Sequence, residues 1–212
     1  MKTNCFQRIL AVLCAAAMLL CATAAFAQVA EPGQQIPPES LAGQTLTATL
    51  KTYDAENQCF PAVFYEKDTF DKETVASLKA GDKLVLWDNE YTIESIGKSP
   101  METMELTLDS GDEILLSEQE DGTFLAMAAL DDMICMHVKG ECSLKPAADI
   151  ILTDASDIEA EEPTVLTGLD AILALQAQRE EESIGFDYTV TTITLNENAE
   201  ITEIRIDYAP WQ

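Results

Sequence analysis

Hydrophobic and polar residues alternate along much of this chain, which is the pattern of a β-strand with one buried face. The first clear example is 45–51, where leucine and alanine alternate with threonine and lysine. A second apolar stretch follows at 60–65. Because Pro61 has no backbone N–H to donate, we expect this second strand to lie at the edge of its sheet.

Further apolar stretches follow at short intervals, with turn-forming residues between them. The pattern predicts a hairpin over 83–96, with its turn at 88–90. The other strand-like stretches are 104–108, 113–116, 123–129 and 133–138. Strands that arrive every ~10 residues are typical of an all-β sandwich or barrel. We therefore predict a β-rich domain over 41–148, built as a small antiparallel barrel or sandwich.

The pattern changes in the last third of the chain. Residues 149–163 are crowded with Asp and Glu, which predicts an exposed acidic connection. An apolar stripe that begins at Leu169 predicts one helix, and the alternation over 186–208 predicts a closing β-hairpin. We expect this helix and hairpin, within 164–212, to pack on the same domain. The predicted fold class is mainly β (α+β).

The N-terminal residues have the pattern of a secretory signal peptide. Lys2 and Arg8 precede an apolar run, and Ala27 ends the small-residue site that signal peptidase requires. We therefore expect 1–27 to be removed, and the mature protein to be secreted or periplasmic. No later apolar stretch has the length of a membrane span. Residues 28–40, with three prolines, predict a flexible tether.

The chain is strongly acidic, with 38 Asp and Glu against 12 Lys and Arg, and its formal net charge is −26. Removal of 1–27 takes away Lys2 and Arg8 and no acidic residue, so the mature protein is more negative still. This charge excludes nucleic acid as an expected partner, because a phosphate backbone is bound through Lys and Arg. Proteins, neutral glycans and cations remain as candidate partners. The sequence gives no indication of the oligomeric state.

Three of the six cysteines remain after residue 27, and they are Cys59, Cys135 and Cys142. If 137–140 is the loop of a hairpin, Cys135 and Cys142 face each other across the two strands. An oxidising compartment then favours a disulfide between them. The sequence leaves Cys59 open as the partner of either cysteine.

Soft metal ligands are concentrated around the one histidine of the chain. Cys135, His137 and Cys142, together with Cys59, would supply a Cys3His zinc site, and thiolate and imidazole also suit copper. Their spacing matches no established metal motif, so we predict no cofactor and retain zinc and copper as alternatives. Calcium is a further alternative, because two turns are rich in carboxylates. These carboxylates are Asp109, Asp112 and Glu113 in one turn and Glu118, Glu120 and Asp121 in the other.

Trp87 is the candidate for stacking on a ligand, because an indole offers a large flat face to a sugar ring or another side chain. The chain has no nucleophile elbow, phosphate-binding loop or zinc-protease motif, and we predict no catalytic residue. We therefore expect an exported acidic protein that acts as a binding or accessory module. The alternative is a copper- or zinc-handling protein that uses Cys135, His137 and Cys142. A small hydrolase with paired carboxylates is a third hypothesis.

Overall fold

The structure is a computed structural model that describes residues 33–181 and 186–208. The predicted signal peptide, 1–27, lies outside these residues. Over the described ranges the chain forms thirteen β-strands in two sheets and two α-helices. The prediction of a mainly β (α+β) fold is confirmed. No helix of the described ranges is long and apolar enough to cross a membrane.

The larger sheet has seven strands from both ends of the described chain. They are β1 (Thr45–Leu50), β2 (Phe60–Lys67), β9 (Met136–Leu144), β10 (Pro146–Ala155), β11 (Thr164–Thr167), β12 (Thr191–Leu195) and β13 (Ile201–Asp207). Their order across the sheet is β11-β10-β13-β12-β1-β2-β9. Neighbours are antiparallel except β10 and β13, which are parallel. We call this the seven-stranded sheet.

The smaller sheet has six strands and comes from one continuous part of the chain. They are β3 (Thr69–Phe70), β4 (Lys83–Leu86), β5 (Asn89–Lys98), β6 (Met104–Leu108), β7 (Glu113–Glu118) and β8 (Phe124–Ala128). Their order is β3-β8-β7-β6-β5-β4, and all neighbours are antiparallel. A short helix, α1 (Lys72–Ser77), precedes β4; Asp71 caps it by accepting a hydrogen bond from the Thr74 N–H. We call this the six-stranded sheet.

Each sheet has a separate apolar core. In the seven-stranded sheet, alternate residues of β2 are buried, among them Phe60 and Phe64. The predicted helix, α2 (Leu169–Glu181), covers this core with Ile172, which is fully buried. In the six-stranded sheet the core is rich in leucine, including Leu84 and Leu106. The alternation that predicts the strands is therefore also the pattern that fills both cores.

The strands of the seven-stranded sheet are not continuous along the chain. The six-stranded sheet, 69–128, is inserted between β2 and β9 of the seven-stranded sheet. The predicted acidic connection, 149–163, begins inside β10, because Ile150 and Leu152 are buried in the core. The predicted helix and closing hairpin are present, and β12 of that hairpin pairs with β1 in the seven-stranded sheet.

The segment before β1 and the position of β2 both depart from the sequence-based expectations. The described part of the predicted tether contacts the sheet, since Gln35 forms a bridge with Glu141 and the Ile36 N–H donates to the Glu141 carbonyl. The expectation that β2 is an edge strand is wrong, because it lies between β1 and β9. In an antiparallel pair, the backbone N and C=O of one residue point towards the same neighbouring strand. The Pro61 carbonyl accepts a hydrogen bond from the Lys51 N–H, and Lys51 lies one residue beyond the end of β1. The N–H that Pro61 lacks would therefore face the end of β1, where its absence is tolerated.

Candidate functional site

The two sheets approach each other at the turn between β4 and β5. Leu86 pairs with Asn89, so Trp87 and Asp88 form a two-residue turn, one position earlier than predicted. Their φ angles are 50° and 62°, the left-handed values of a type I′ turn. This turn favours Asn and Gly, and an aromatic residue there costs about 1–3 kcal/mol. Such conformations occur most often at functional sites.

Two hydrogen bonds attach this turn to residues at the end of β2 and the start of β9, and a third links those residues to each other. The Trp87 N–H donates to the Asp68 carboxylate over 3.0 Å. The other oxygen of Asp68 is 2.7 Å from Nδ1 of His137. The Val138 N–H donates to the Asp88 carboxylate over 3.0 Å. Asp68 and Asp88 therefore hold the turn against the start of β9.

Asp68 is the most buried charged group of this junction, with only 5% of its surface exposed. Burial raises the pKa of its carboxyl, while the hydrogen bonds from Trp87 and His137 and the charge of His137 act in the opposite direction. His137 and Asp68 also line a cleft of about 300 Å³. The carboxylate fixes the orientation of the imidazole, so this pair acts to join the two sheets.

Trp87 lines a second, larger cavity, a groove of about 890 Å³ between the two sheets. On the side of the six-stranded sheet, Trp87 and Tyr91 meet edge to face with their ring centres 6.2 Å apart. On the other side, Tyr188 stacks on Tyr65 of β2 with ring centres 4.0 Å apart. The groove is therefore lined by three aromatic side chains: Trp87 and Tyr91 of the β4–β5 hairpin, and Tyr188 from the loop before β12.

The remaining walls combine carboxylates with exposed apolar groups. The residues concerned are Asp112, Glu113, Leu130, Asp131 and Met133. Leu130 is 97% exposed, which is unusual for a leucine. Burial raises the pKa of Tyr91, and the charges of Asp112 and Asp109 raise it further. The groove is therefore negative as well as aromatic, and none of the described residues that line it is basic.

The indole of Trp87 has one further unusual feature. Its Nε1–H is buried and has no hydrogen-bond acceptor among the described residues. A buried donor without an acceptor costs about 1–3 kcal/mol. Trp87 thus combines a disfavoured backbone conformation with an unpaired polar atom in the wall of a groove. The stacking role predicted for it remains a prediction, and the groove gives it a location.

The structure does not support the predicted disulfide. The hairpin expected at 137–140 is wrong, because these residues lie inside the single strand β9. Cys135 and Cys142 are separated by roughly 20 Å, given a rise of ~3.3 Å per extended residue. A disulfide needs Cα atoms within about 7 Å. Both cysteines, and Cys59, are free and buried.

The predicted metal ligands are not brought together either. Cys135 belongs to the core of the six-stranded sheet and Cys142 to that of the seven-stranded sheet, whereas His137 is bonded to Asp68. Within 33–181 and 186–208, no group of three His, Cys, Asp or Glu residues is placed to hold a metal ion. Burial raises the pKa of Cys142 to about 11 and also raises that of Cys135, so both thiols are neutral at pH 7.

Two of the carboxylates proposed for calcium stabilise their own turns, and a third, Glu118, forms an ion pair with Lys72. Asp121 accepts hydrogen bonds from the N–H and hydroxyl of Thr123. Asp112 accepts a hydrogen bond from the hydroxyl of Ser110. These are ordinary turn contacts of Asp with a residue two positions away.

Sequence reasoning identified Trp87 and missed the residues that complete its surroundings. Asp68 and Tyr188 carry no local signal, because their partners lie far away in the chain. Asp68 bonds His137 across 69 positions, and Tyr188 stacks on Tyr65. A carboxylate directly after an apolar strand and an isolated tyrosine in a loop are common features that point to no particular chemistry.

Comparison of the chain with protein-family models, with curated proteins and with solved structures found no match. What the groove does must therefore be argued from its own residues. Its distinctive features are its aromatic walls, its carboxylates and its position between the sheets.

Proposed function

We propose that this is an exported binding protein without catalytic activity, and that the groove between its two sheets is the ligand site. The observation that carries the proposal is that Trp87 and Tyr91 of the β4–β5 hairpin line the same cavity as Tyr188, from the loop before β12. Its volume, about 890 Å³, falls within the range of about 300–1,000 Å³ that is usual for ligand sites. Aromatic side chains supply much of the contact energy in such sites.

The lining of the groove favours binding over nucleophilic chemistry. Covalent catalysis through serine, cysteine or lysine needs one of these side chains beside a base such as histidine, and none of them lines the described part of the groove. The described lining supplies phenols and carboxylates, and burial raises the pKa of both Tyr91 and Tyr188. The phenols therefore stay neutral at physiological pH and serve as contact surfaces. The free-energy cost of the backbone conformation of Trp87 supports a role for this residue in ligand recognition.

The exported part of the proposal rests on the N-terminal pattern. It is tested by producing the full chain with its own leader in a bacterial host and measuring the mass of the purified protein. We expect a product that begins at Gln28. A native product that begins at Met1 would contradict export by this leader.

The ligand site is tested with Trp87 as the reporter. The chain has two tryptophans, so Trp211→Phe leaves Trp87 as the sole source of indole fluorescence. Titration with a panel of neutral oligosaccharides and short peptides should give a saturable change in emission with one class. Tyr188→Leu should weaken that response, while Tyr208→Leu, at a half-exposed tyrosine elsewhere, should leave it unchanged. No saturable response with any member of the panel would overturn the groove as the ligand site.

A further inference from the structure

We infer that the occupant of the groove is a basic segment of a partner protein, held through its Lys or Arg side chains. The inference rests on the proposed function and names the chemistry of its ligand. It follows from three properties of the groove: unpaired negative charge, aromatic faces and an exposed apolar rim.

The first property is the unpaired charge. Asp112, Glu113 and Asp131 line the groove, and none of them belongs to an ion pair among the described residues. The Asp112 and Asp131 carboxylates accept hydrogen bonds from the Ser110 hydroxyl and the Met133 N–H, which fixes their positions without neutralising them. A cation in the groove would relieve the repulsion among these charges.

The second property is the set of aromatic faces. A guanidinium or ammonium group binds over the face of Trp or Tyr within about 6 Å of the ring centre, and Arg also stacks on the ring. The ring of Tyr188 is held in place by its stacking on Tyr65, with an angle of 18° between the planes. Trp87 is held at its backbone by Asp68, and its ring packs edge to face against Tyr91. Both rings are thus positioned in advance, which reduces the entropy that a ligand must overcome.

The third property distinguishes a peptide from other ligands. Leu130, 97% exposed, and Met133 offer apolar contacts that suit the methylene stems of Lys and Arg. A neutral glycan would leave three carboxylates without a counter-charge. A single small cation would fill little of a cavity of about 890 Å³. An extended basic segment meets all three properties of the groove together.

The experiment titrates the Trp211→Phe protein with a capped decapeptide of alternating arginine and glycine, followed through the fluorescence of Trp87. The matched peptide has glutamine in place of arginine, and chitohexaose serves as a neutral glycan. We expect saturable binding of the arginine peptide alone. Asp112→Asn with Asp131→Asn should raise its Kd about tenfold, since close charge pairs carry much of such binding. Both asparagines keep an oxygen for the local hydrogen bond.

The matched control removes the same charge elsewhere. Glu56→Gln with Glu120→Gln changes two exposed carboxylates outside the groove, and the Kd should stay within about twofold of the parent, as expected for screened surface charges. Circular dichroism and Tm confirm that each variant is folded. An equal loss in both double variants would overturn the inference, because it would show general attraction to an acidic protein.

Two other outcomes separate this inference from the proposed function. Binding of chitohexaose but not of the arginine peptide, lost in Tyr188→Leu, would overturn the basic ligand and leave the groove as a binding site. No change in Trp87 emission with the peptide or the hexasaccharide, nor with any other member of the wider panel, would overturn both.

Discussion

The two sheets differ in how far along the chain their neighbouring strands lie. In the six-stranded sheet, β4 to β8 follow one another as successive hairpins. In the seven-stranded sheet, β1 pairs with β12, so that Thr45 lies opposite Thr194. The first sheet can be built from local turns, whereas the second requires the two ends of the described chain to meet. The groove lies where the locally built unit rests on the other.

The junction also differs from the two sheet interiors in its chemistry. The two cores consist of aliphatic and aromatic side chains with one cysteine each, while the seven-stranded sheet also buries Thr191 and the ion pair of Arg179 with Asp154. The junction holds a buried carboxylate, Asp68, a tryptophan at positive φ and an unpaired indole N–H. Natural proteins tolerate such local costs most often where function requires them. This contrast is the physical reason for placing the proposed binding site between the sheets.

The largest expected effects come from opening one core at a time. Phe64→Ala in the seven-stranded sheet should lower the free energy of unfolding by about 3–5 kcal/mol, and Leu106→Ala in the six-stranded sheet by about 2–5 kcal/mol. Both side chains are fully buried. Urea unfolding measures the loss of unfolding free energy in each variant, and hydrogen exchange shows which backbone amides lose their protection.

Hydrogen exchange distinguishes two separate units from one. Leu106→Ala should accelerate amide exchange within 83–118 while β12 and β13 stay protected, because the two cores are distinct. Equal acceleration in both sheets would show that they unfold as one unit. The two sheets would then differ only in how far apart along the chain their neighbouring strands lie.

A buried ion pair attaches helix α2 to the seven-stranded sheet. Arg179 lies 2.5 Å from Asp154, with side chains only 10% and 16% exposed. Arg179→Met leaves this carboxylate without its partner and should cost about 3–5 kcal/mol. Arg205→Met removes an exposed pair with Asp207, 44% and 48% exposed, and should cost at most about 1 kcal/mol. If thermal unfolding shows equal losses of stability in Arg179→Met and Arg205→Met, the buried pair is no more stabilising than the exposed one.

The same pair predicts an acid dependence of stability. Burial raises the pKa of Asp154, but hydrogen bonds from Ser156 and the charge of Arg179 outweigh it, and the net pKa is below its ordinary value of 3.8. The folded state therefore binds fewer protons there than the unfolded state. The stabilisation is present above pH 3.8 and is lost as pH falls through the folded pKa. The difference in unfolding free energy between the parent and Arg179→Met should shrink as the pH falls below 3.8. A difference that stays constant with pH would contradict a stabilising ion pair between Arg179 and Asp154.

A smaller effect is expected at the junction itself. Asp88→Ala removes the acceptor of the Val138 N–H and also places alanine at a φ of 62°, and should cost about 1–2 kcal/mol. Asp88→Asn keeps an oxygen in place and should restore most of the loss. Asp149→Ala, on the exposed face of β10, removes the same charge away from the junction and should be nearly neutral. If Asp149→Ala costs as much as Asp88→Ala, the bond between the sheets does not matter for stability.

The sequence predicts the local units of this fold well, because alternation and turn residues are local signals. The hairpin at 83–96 is present, and its turn is displaced because Trp87 is an unusual residue at positive φ. The sequence predicts a hairpin within β9 because Gly140 is typical of a turn. In the structure, a Cβ at Gly140 would lie 2.6 Å from the Ile36 side chain and 2.7 Å from the carbonyl of Gln34. The glycine therefore allows close approach of another segment.

Non-local features could not be predicted in this way. The insertion of one sheet into the other and the parallel pairing of β10 with β13 leave no trace in a short window of sequence. The same holds for the site. Trp87 is identifiable as a large aromatic residue next to turn-forming residues, whereas Tyr188 becomes part of the site only through the meeting of the two sheets.

The most direct test of this account is a map of backbone amide shifts by nuclear magnetic resonance during titration with the arginine–glycine peptide. If the groove between the sheets is the ligand site, the largest shifts will occur together at Trp87, at 128–133 and around Tyr188, on both sides of the junction. Shifts confined to one sheet, or spread evenly over the acidic surface, would contradict a site that the two sheets share.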